Sequence, residues 1–330
     1  MMKNQPRLLL TLIGMVLLAD PVIAQERVTL SYSSVEAPNA NWFIAHDRRL
    51  YQKYGVEAES IFIPSSSTVI NAIIGGSVQL GNGTGGAIAN AAVAGANLVA
   101  VGSFINTLPY ELIVQESIKS AADLKGKTIG IARIGSASDV AARVLIKGLG
   151  LDPDKDVAII QGGGGSERVA AFRGGRIAGF PSPPGVIQLA KGIPHRVLIT
   201  TADLPRRLPF PYVCVTTTKS YLASNRETVK RVLMALIEAT HFFKTRKEES
   251  KRLLAKYSKQ NNEAFLESSY AGNEPIYERL PLVTREGMEI QIKEAIGRRA
   301  NISLKLDDLI DDSLVLQLEK DGFIERLYRQ

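Results

Sequence analysis

The sequence holds one cysteine, Cys214, in 330 residues. No internal disulfide can form, so the fold must be held by a packed core. Histidine is nearly as scarce, and His46, His195 and His241 each stand alone. None has a His, Cys or Glu neighbour at the short spacings that build a metal centre, so no metal is expected. Beyond the N-terminus no apolar run approaches the roughly 20 residues that span a bilayer. No G-x-S-x-G nucleophile elbow occurs. The strand-loop-helix pattern of Asp123 to Gly150 has the form of a phosphate loop, but its turn, Arg133-Ile134-Gly135-Ser136, lacks the required lysine. The run Gly162-Gly163-Gly164-Gly165-Ser166 also opens a helix, without that lysine and without dinucleotide-site spacing. A catalytic group and a cofactor are therefore not expected.

The N-terminus carries Lys3 and Arg7 before an apolar run from Leu8 to Ala19, and Val22-Ile23-Ala24 closes it. This is the pattern of a secretory signal peptide over residues 1–24. No cysteine follows it to accept a lipid, so a free periplasmic protein is expected. The formal charge is +7; losing Lys3, Arg7 and Asp20 with the leader leaves +6. The basic residues lie mostly on helix faces with acids between them, which reads as solvated surface rather than a nucleic-acid groove.

From Val28 onward, short apolar runs alternate with helical segments, which implies parallel sheets with crossover helices. One helix is expected over 41–54. Residues 112–114 and 213–215 sit where one unit gives way to the next and are candidates for strands crossing between lobes. Beyond Ser220 the pattern is helical, with a helix capped by Ser224 and Glu227 and another over 307–320. The expected organisation is lobe 1 over 25–112, lobe 2 over 113–213, and a return to lobe 1 with C-terminal helices over 214–330.

Strand ends are repeatedly followed by small polar residues that open helices: Asn39 to Asn41, Ser65 to Thr68, Asn82 to Gly86, Gly135 to Ser138 and Gly162 to Ser166. Ligands of α/β sheets sit at the carboxyl ends of strands, where helix N-termini offer unpaired N–H groups. Ordinary helix capping explains any one such turn. Five across two lobes point to a ligand.

The segment "AADLKGKTIGIARIGSASDVAARVLIKGLGLDPDKDV" (121–157), with "VINAIIGGSVQLGNGTGGA" (69–87) and "FRGGRIAGF" (172–180), resembles the periplasmic solute-binding proteins of ABC importers, of the sulfonate, nitrate and taurine type related to thiamine-pyrimidine-precursor binders. The resemblance implies a two-lobed type II binding-protein fold, α/β with doubly wound sheets joined by two crossing segments and a helical tail. It implies a monomer that closes on a small-molecule solute and serves an ABC permease and its ATPase, with no nucleic acid. Carried over by position, the solute-facing residues are Asn41, Trp42, Ser67, Thr84, Gly85, Ser136, Ser138 and Gly164, with Pro181 and Ser182 on the opposite rim. Trp42 reads equally well as core. Arg133 is the candidate partner for an anionic solute. A periplasmic sensor subunit or an enzyme on the same fold is the alternative. Export predicts a mature chain beginning at Gln25; the intact mass of the periplasmic protein checks this, and a mass retaining residues 1–24 contradicts it.

Overall fold

The computed structural model describes residues 26–190, 192–205, 208–297 and 303–329. The expected leader lies outside them. The chain forms two five-stranded sheets. The strands are β1 Glu26–Tyr32, β2 Val56–Phe62, β3 Leu80–Gly83, β4 Leu98–Ser103, β5 Glu111–Gln115, β6 Thr128–Ile131, β7 Ala158–Gln161, β8 Gly179–Ser182, β9 His195–Thr200 and β10 Cys214–Thr218. The helices of the first half are α1 Ala40–Asp47, α2 Leu50–Lys53, α3 Ser66–Ile74, α4 Gly85–Val93, α5 Ala121–Leu124, α6 Ala137–Gly148 and α7 Gly165–Arg173. The later ones are α8 Lys219–Ser224, α9 Arg226–Thr245, α10 Lys247–Ser258, α11 Glu263–Asn273, α12 Arg285–Ile296, α13 Ser313–Lys320 and α14 Phe323–Tyr328.

The first sheet runs β2-β1-β3-β10-β4 and the second β7-β6-β8-β5-β9. β1 is parallel to β2 and β3, and β6 to β7 and β8. Each sheet also contains one reversed strand: β10 is antiparallel to β3 and β4, and β5 to β8 and β9. The sheets are thus mixed where the sequence pattern suggested parallel. Each reversed strand is the first that the chain lays down after crossing between sheets. It runs away from the crossing, so its parallel neighbours must point their carboxyl ends toward it.

The crossing itself differs from expectation. Residues 112–114 lie inside β5 and residues 214–215 inside β10, because both stretches are unbroken apolar runs that a sheet interior covers on both faces. The chain crosses over 104–110 and again through 208–213. These connectors pair with each other: Phe210 N–H donates to Asn106 O at 3.0 Å, Tyr212 N–H to Ile105 O at 2.9 Å and Phe104 N–H to Val213 O at 2.9 Å. A bridge between Thr107 and Pro209 extends the ladder.

The helical tail covers the first sheet. α9 lays Val229, Val232, Leu233, Leu236 and Phe243, all fully buried, along α1 and α2, while α12 packs on α4. Trp42 belongs to this core at 1 % exposure. α11 reaches the other lobe, where Gly185 (φ +96°) lies so close to it that a Cβ would come within 2.0 Å of Ser269 Oγ. Three helical expectations change in detail. The helix over 41–54 breaks at Arg49, whose φ is +54°. α9 starts after Asn225 without a side-chain cap, and Glu227 instead holds Lys230 and Arg231. The stretch 307–320 is interrupted where Ile310 bridges to Ala100 beside β4. Phe243 packs against the tilted rings of Tyr270 and Tyr277, with centroids 5.0 and 5.1 Å away. Phe243→Ala should therefore cost about 3–5 kcal/mol in a denaturant titration, whereas Leu316→Ala, at an exposed position, should stay within about 0.5 kcal/mol.

Candidate functional site

The carboxyl ends of β1, β2, β3, β6 and β7 converge between the two sheets on a cavity of about 170 Å³. The first lobe supplies Ser33 to Glu36 after β1, Phe62 and Pro64 to Ser66 after β2, and Thr84 after β3. The second supplies Ala132 and Ser136 to Ser138 after β6, and Gly164 to Arg168 after β7. Gln260, between α10 and α11, and Phe265 of α11 also line it.

The connectors themselves line the cavity through Tyr110 and Tyr212. Their hydroxyls are hydrogen-bonded at 3.0 Å, and the rings meet edge to face at 5.7 Å. Burial pushes the Tyr110 phenol up to about 12 and that of Tyr212 well above its ordinary value, so both are neutral hydrogen-bonding groups at physiological pH.

The helix N-termini are preorganised. Thr84 Oγ1 accepts from Ala87 N–H at 3.3 Å. Ser136 Oγ accepts from Asp139 N–H at 3.4 Å and bonds Ser138 Oγ at 2.9 Å, while Ser138 Oγ accepts from Ala132 N–H at 2.8 Å. Capping accounts for much of what these hydroxyls do. Arg168 is different. It is 3 % exposed, gives one Nη1–H to Gly163 O at 3.4 Å, and leaves its buried Nε–H without a partner. Buried donors are normally satisfied, so an unpaired guanidinium N–H in a cavity wall marks a place where a ligand acceptor fits. Asn39 Oδ1 and Ser66 Oγ, also buried in the wall, are unpartnered too.

Among the residues expected from sequence, Thr84, Ser136, Ser138 and Gly164 meet at this cavity. The other six lie elsewhere. Asn41 points into the first lobe, its Nδ2 donating to Thr240 Oγ1 at 3.4 Å, and Trp42 is core. Ser67 lines a separate groove of about 520 Å³ between α3, α4, α12 and α6. Gly85 gives its N–H to Pro211 O at 2.7 Å. Pro181 and Ser182 are inside β8, opposite Leu112 and Glu111. Arg133 is exposed and outside the cavity wall; Arg168 holds the position of the charge instead. None of the three histidines lines the cavity.

Glu36, Tyr110, Arg168 and Tyr212 are not singled out from sequence, whereas Asn39, also in the wall, belongs to the first of the five small polar turns. A signal for the tyrosines was present: Pro109-Tyr110 and Pro211-Tyr212 are a repeated Pro-Tyr, each placed just before a strand that enters a new sheet.

Two mixed α/β sheets, two crossing connectors and a cavity at the facing strand ends define the two-lobed fold of periplasmic binding proteins. The chain belongs to the NMT1-like family, whose sequence model matches residues 24–258. A Brucella abortus (strain 2308) protein provisionally named a binding protein is 28% identical over 293 residues, covering 85% of this chain and 85% of its own. The periplasmic aliphatic sulphonate binding protein SsuA of Escherichia coli superposes with a TM-score of 0.66 at 23% identity, over 88% of this chain and 99% of that one. The periplasmic nitrate-binding protein NrtA of Synechocystis PCC 6803 does so with 0.72 at 13% identity, over 90% and 89%.

Tyr212→Phe removes one partner of the buried hydroxyl pair and leaves the other unsatisfied, so it should lower stability by about 1–3 kcal/mol in thermal unfolding. An unchanged midpoint would mean that the pair is not closed in solution.

Proposed function

We propose that this chain is the extracytoplasmic solute-binding component of an ABC import system, closing its two lobes on a small polar or anionic solute of sulfonate, nitrate, taurine-like or pyrimidine-like kind. The observation that carries the reading is the cavity lined from both lobes and by Tyr110 and Tyr212 on the connectors. A solute seated there touches both walls and the hinge at once, which is the differential contact that ligand-driven closure requires. In this proposal one lobe is the first sheet with the C-terminal helices, over 25–112 and 214–330, and the other is the second sheet, over 113–213.

Size and lining support a small molecule. A dry cavity of about 150 Å³ holds one benzene, so 170 Å³ suits a solute of about six to ten non-hydrogen atoms. The wall's ionisable groups are Glu36, Glu167, Arg168 and the two tyrosines. No nucleophile sits beside a base among them, which favours a receptor over an enzyme. The protein would work in the periplasm as a monomer, handing its solute to a permease driven by an ATPase.

Calorimetry and thermal shift on purified protein against sulfonates, nitrate, taurine, pyrimidines and aromatic acids test this. A true solute at about 100 times its Kd should add roughly 2.7 kcal/mol of stability. Arg168→Ala should weaken its binding by about tenfold or more, the loss expected for a hydrogen bond to a charged group. Turnover of a panel member with no stabilisation by any would overturn the receptor reading.

A further inference from the structure

The cavity has two chemically opposite walls. On the first-lobe side stands the Glu36 carboxylate, which accepts one hydrogen bond, from Ser34 Oγ to Oε2 at 3.2 Å. Its Oε1 reaches across the cleft to Gly165, the first residue of α7. A Cβ there would lie 2.1 Å from that oxygen, so the carboxylate in this rotamer sits directly against the α7 backbone. On the second-lobe side stands the buried Arg168 guanidinium with its unpartnered Nε–H. The two share the cavity wall and form no ion pair with each other, although the Arg168 charge acts on Glu36.

The charges do not suit a plain anion. The wall carries one guanidinium, Arg168, against two carboxylates, Glu36 and Glu167. A solute with only acceptor groups would satisfy Arg168 and leave Glu36 facing like charge. Burial raises the Glu36 pKa; Arg168 and the Ser34 bond pull it down and Glu167 pushes it further up. Within the chain the half-buried Glu36 carboxyl accepts a single hydrogen bond, from Ser34. Buried charges are costly unless paired and hydrogen-bonded, and a donor from the solute would supply what the chain does not.

Given the receptor reading, on which this rests, we infer that Glu36 and Arg168 are the two poles of the solute site. The solute is amphoteric, with an N–H donor or cationic group toward Glu36, an acceptor or anionic group toward Arg168, and an apolar body against Tyr110, Tyr212, Phe62 and Phe265. Glu36 is the specificity-determining residue, admitting such solutes and disfavouring anions of the same shape that lack a donor.

The test is calorimetric titration of the mature chain and of Glu36→Gln with benzoate, benzenesulfonate and their ring-amino derivatives. In the native protein at least one amino derivative should bind about tenfold or more tightly than its parent, as a hydrogen bond to a charged group allows. In Glu36→Gln that ratio should fall toward one while the parent binds as well or better, and an unchanged unfolding midpoint without ligand shows that the variant is folded. Equal binding of parent and amino forms by the native protein, or a ratio unchanged in Glu36→Gln, overturns the inference. So does failure of every probe with both proteins. If a donor-free solute from the wider panel still binds, the receptor reading stands and only the two-pole inference falls.

Discussion

Everything in this molecule depends on the pairing of its two connectors. Residues 104–110 and 208–213 run side by side, joined by backbone hydrogen bonds and by the Tyr110–Tyr212 hydroxyl bond. The chain enters each sheet from this ribbon as a reversed strand, β5 in one and β10 in the other. That reversal turns the carboxyl ends of β1, β2, β3, β6 and β7 toward the crossing. The cavity follows from this geometry, because the helix N-termini after those strands have nowhere else to point. In the proposed closure this two-segment ribbon is the hinge, which would confine the motion to a few residues.

The rest of the chain makes the lobes stiff enough for such a hinge to matter. With no disulfide available, rigidity comes from packing. α9 buries an apolar stripe on α1 and α2, and α12 seats on α4, so the C-terminal helices complete the first lobe. α11 departs from this pattern. It packs against residues 186–190 of the second lobe and presses on Gly185, which ties tail and far lobe together beside the cleft. The cavity between these stiff bodies holds what cores avoid: the unpaired Nε–H of Arg168, the unpartnered Oδ1 of Asn39 and a carboxylate with one partner. Such groups cost stability where they stand.

Much of the architecture is legible in the amino-acid pattern itself. From Val28 onward the alternation of short apolar runs with helical segments announces the two α/β sheets, and residues 112–114 fall inside β5. The turns that open α4, α6 and α7 announce themselves through Thr84, Ser136 and Gly164. What the pattern does not convey is strand direction: a reversed strand such as β5 is the same short buried apolar run as a parallel one. The helix over 41–54 misleads for a related reason, since its apolar spacing continues across Arg49 while the backbone turns left-handed there. In the site, sequence reasoning finds the residues that cap helices, because capping leaves a local signature. It misses Arg168 and Glu36, whose meaning arises only when two distant loops face one another. Asn41 and Trp42 are drawn toward the site by position in the resemblance, but they face the first-lobe core.

The central claim is that a solute held between Arg168, the connector tyrosines and the first-lobe loops draws the lobes together. The most direct measurement is the distance between spin labels on Gln52→Cys in α2 and Arg173→Cys in α7, both exposed positions on opposite lobes, with Cys214 fully buried and out of reach of the label. Pulsed dipolar spectroscopy with a binding solute should shift the distance distribution to one narrower population, and Arg168→Ala should weaken that shift in step with affinity. Saturating solute that leaves the distribution unchanged would contradict the account.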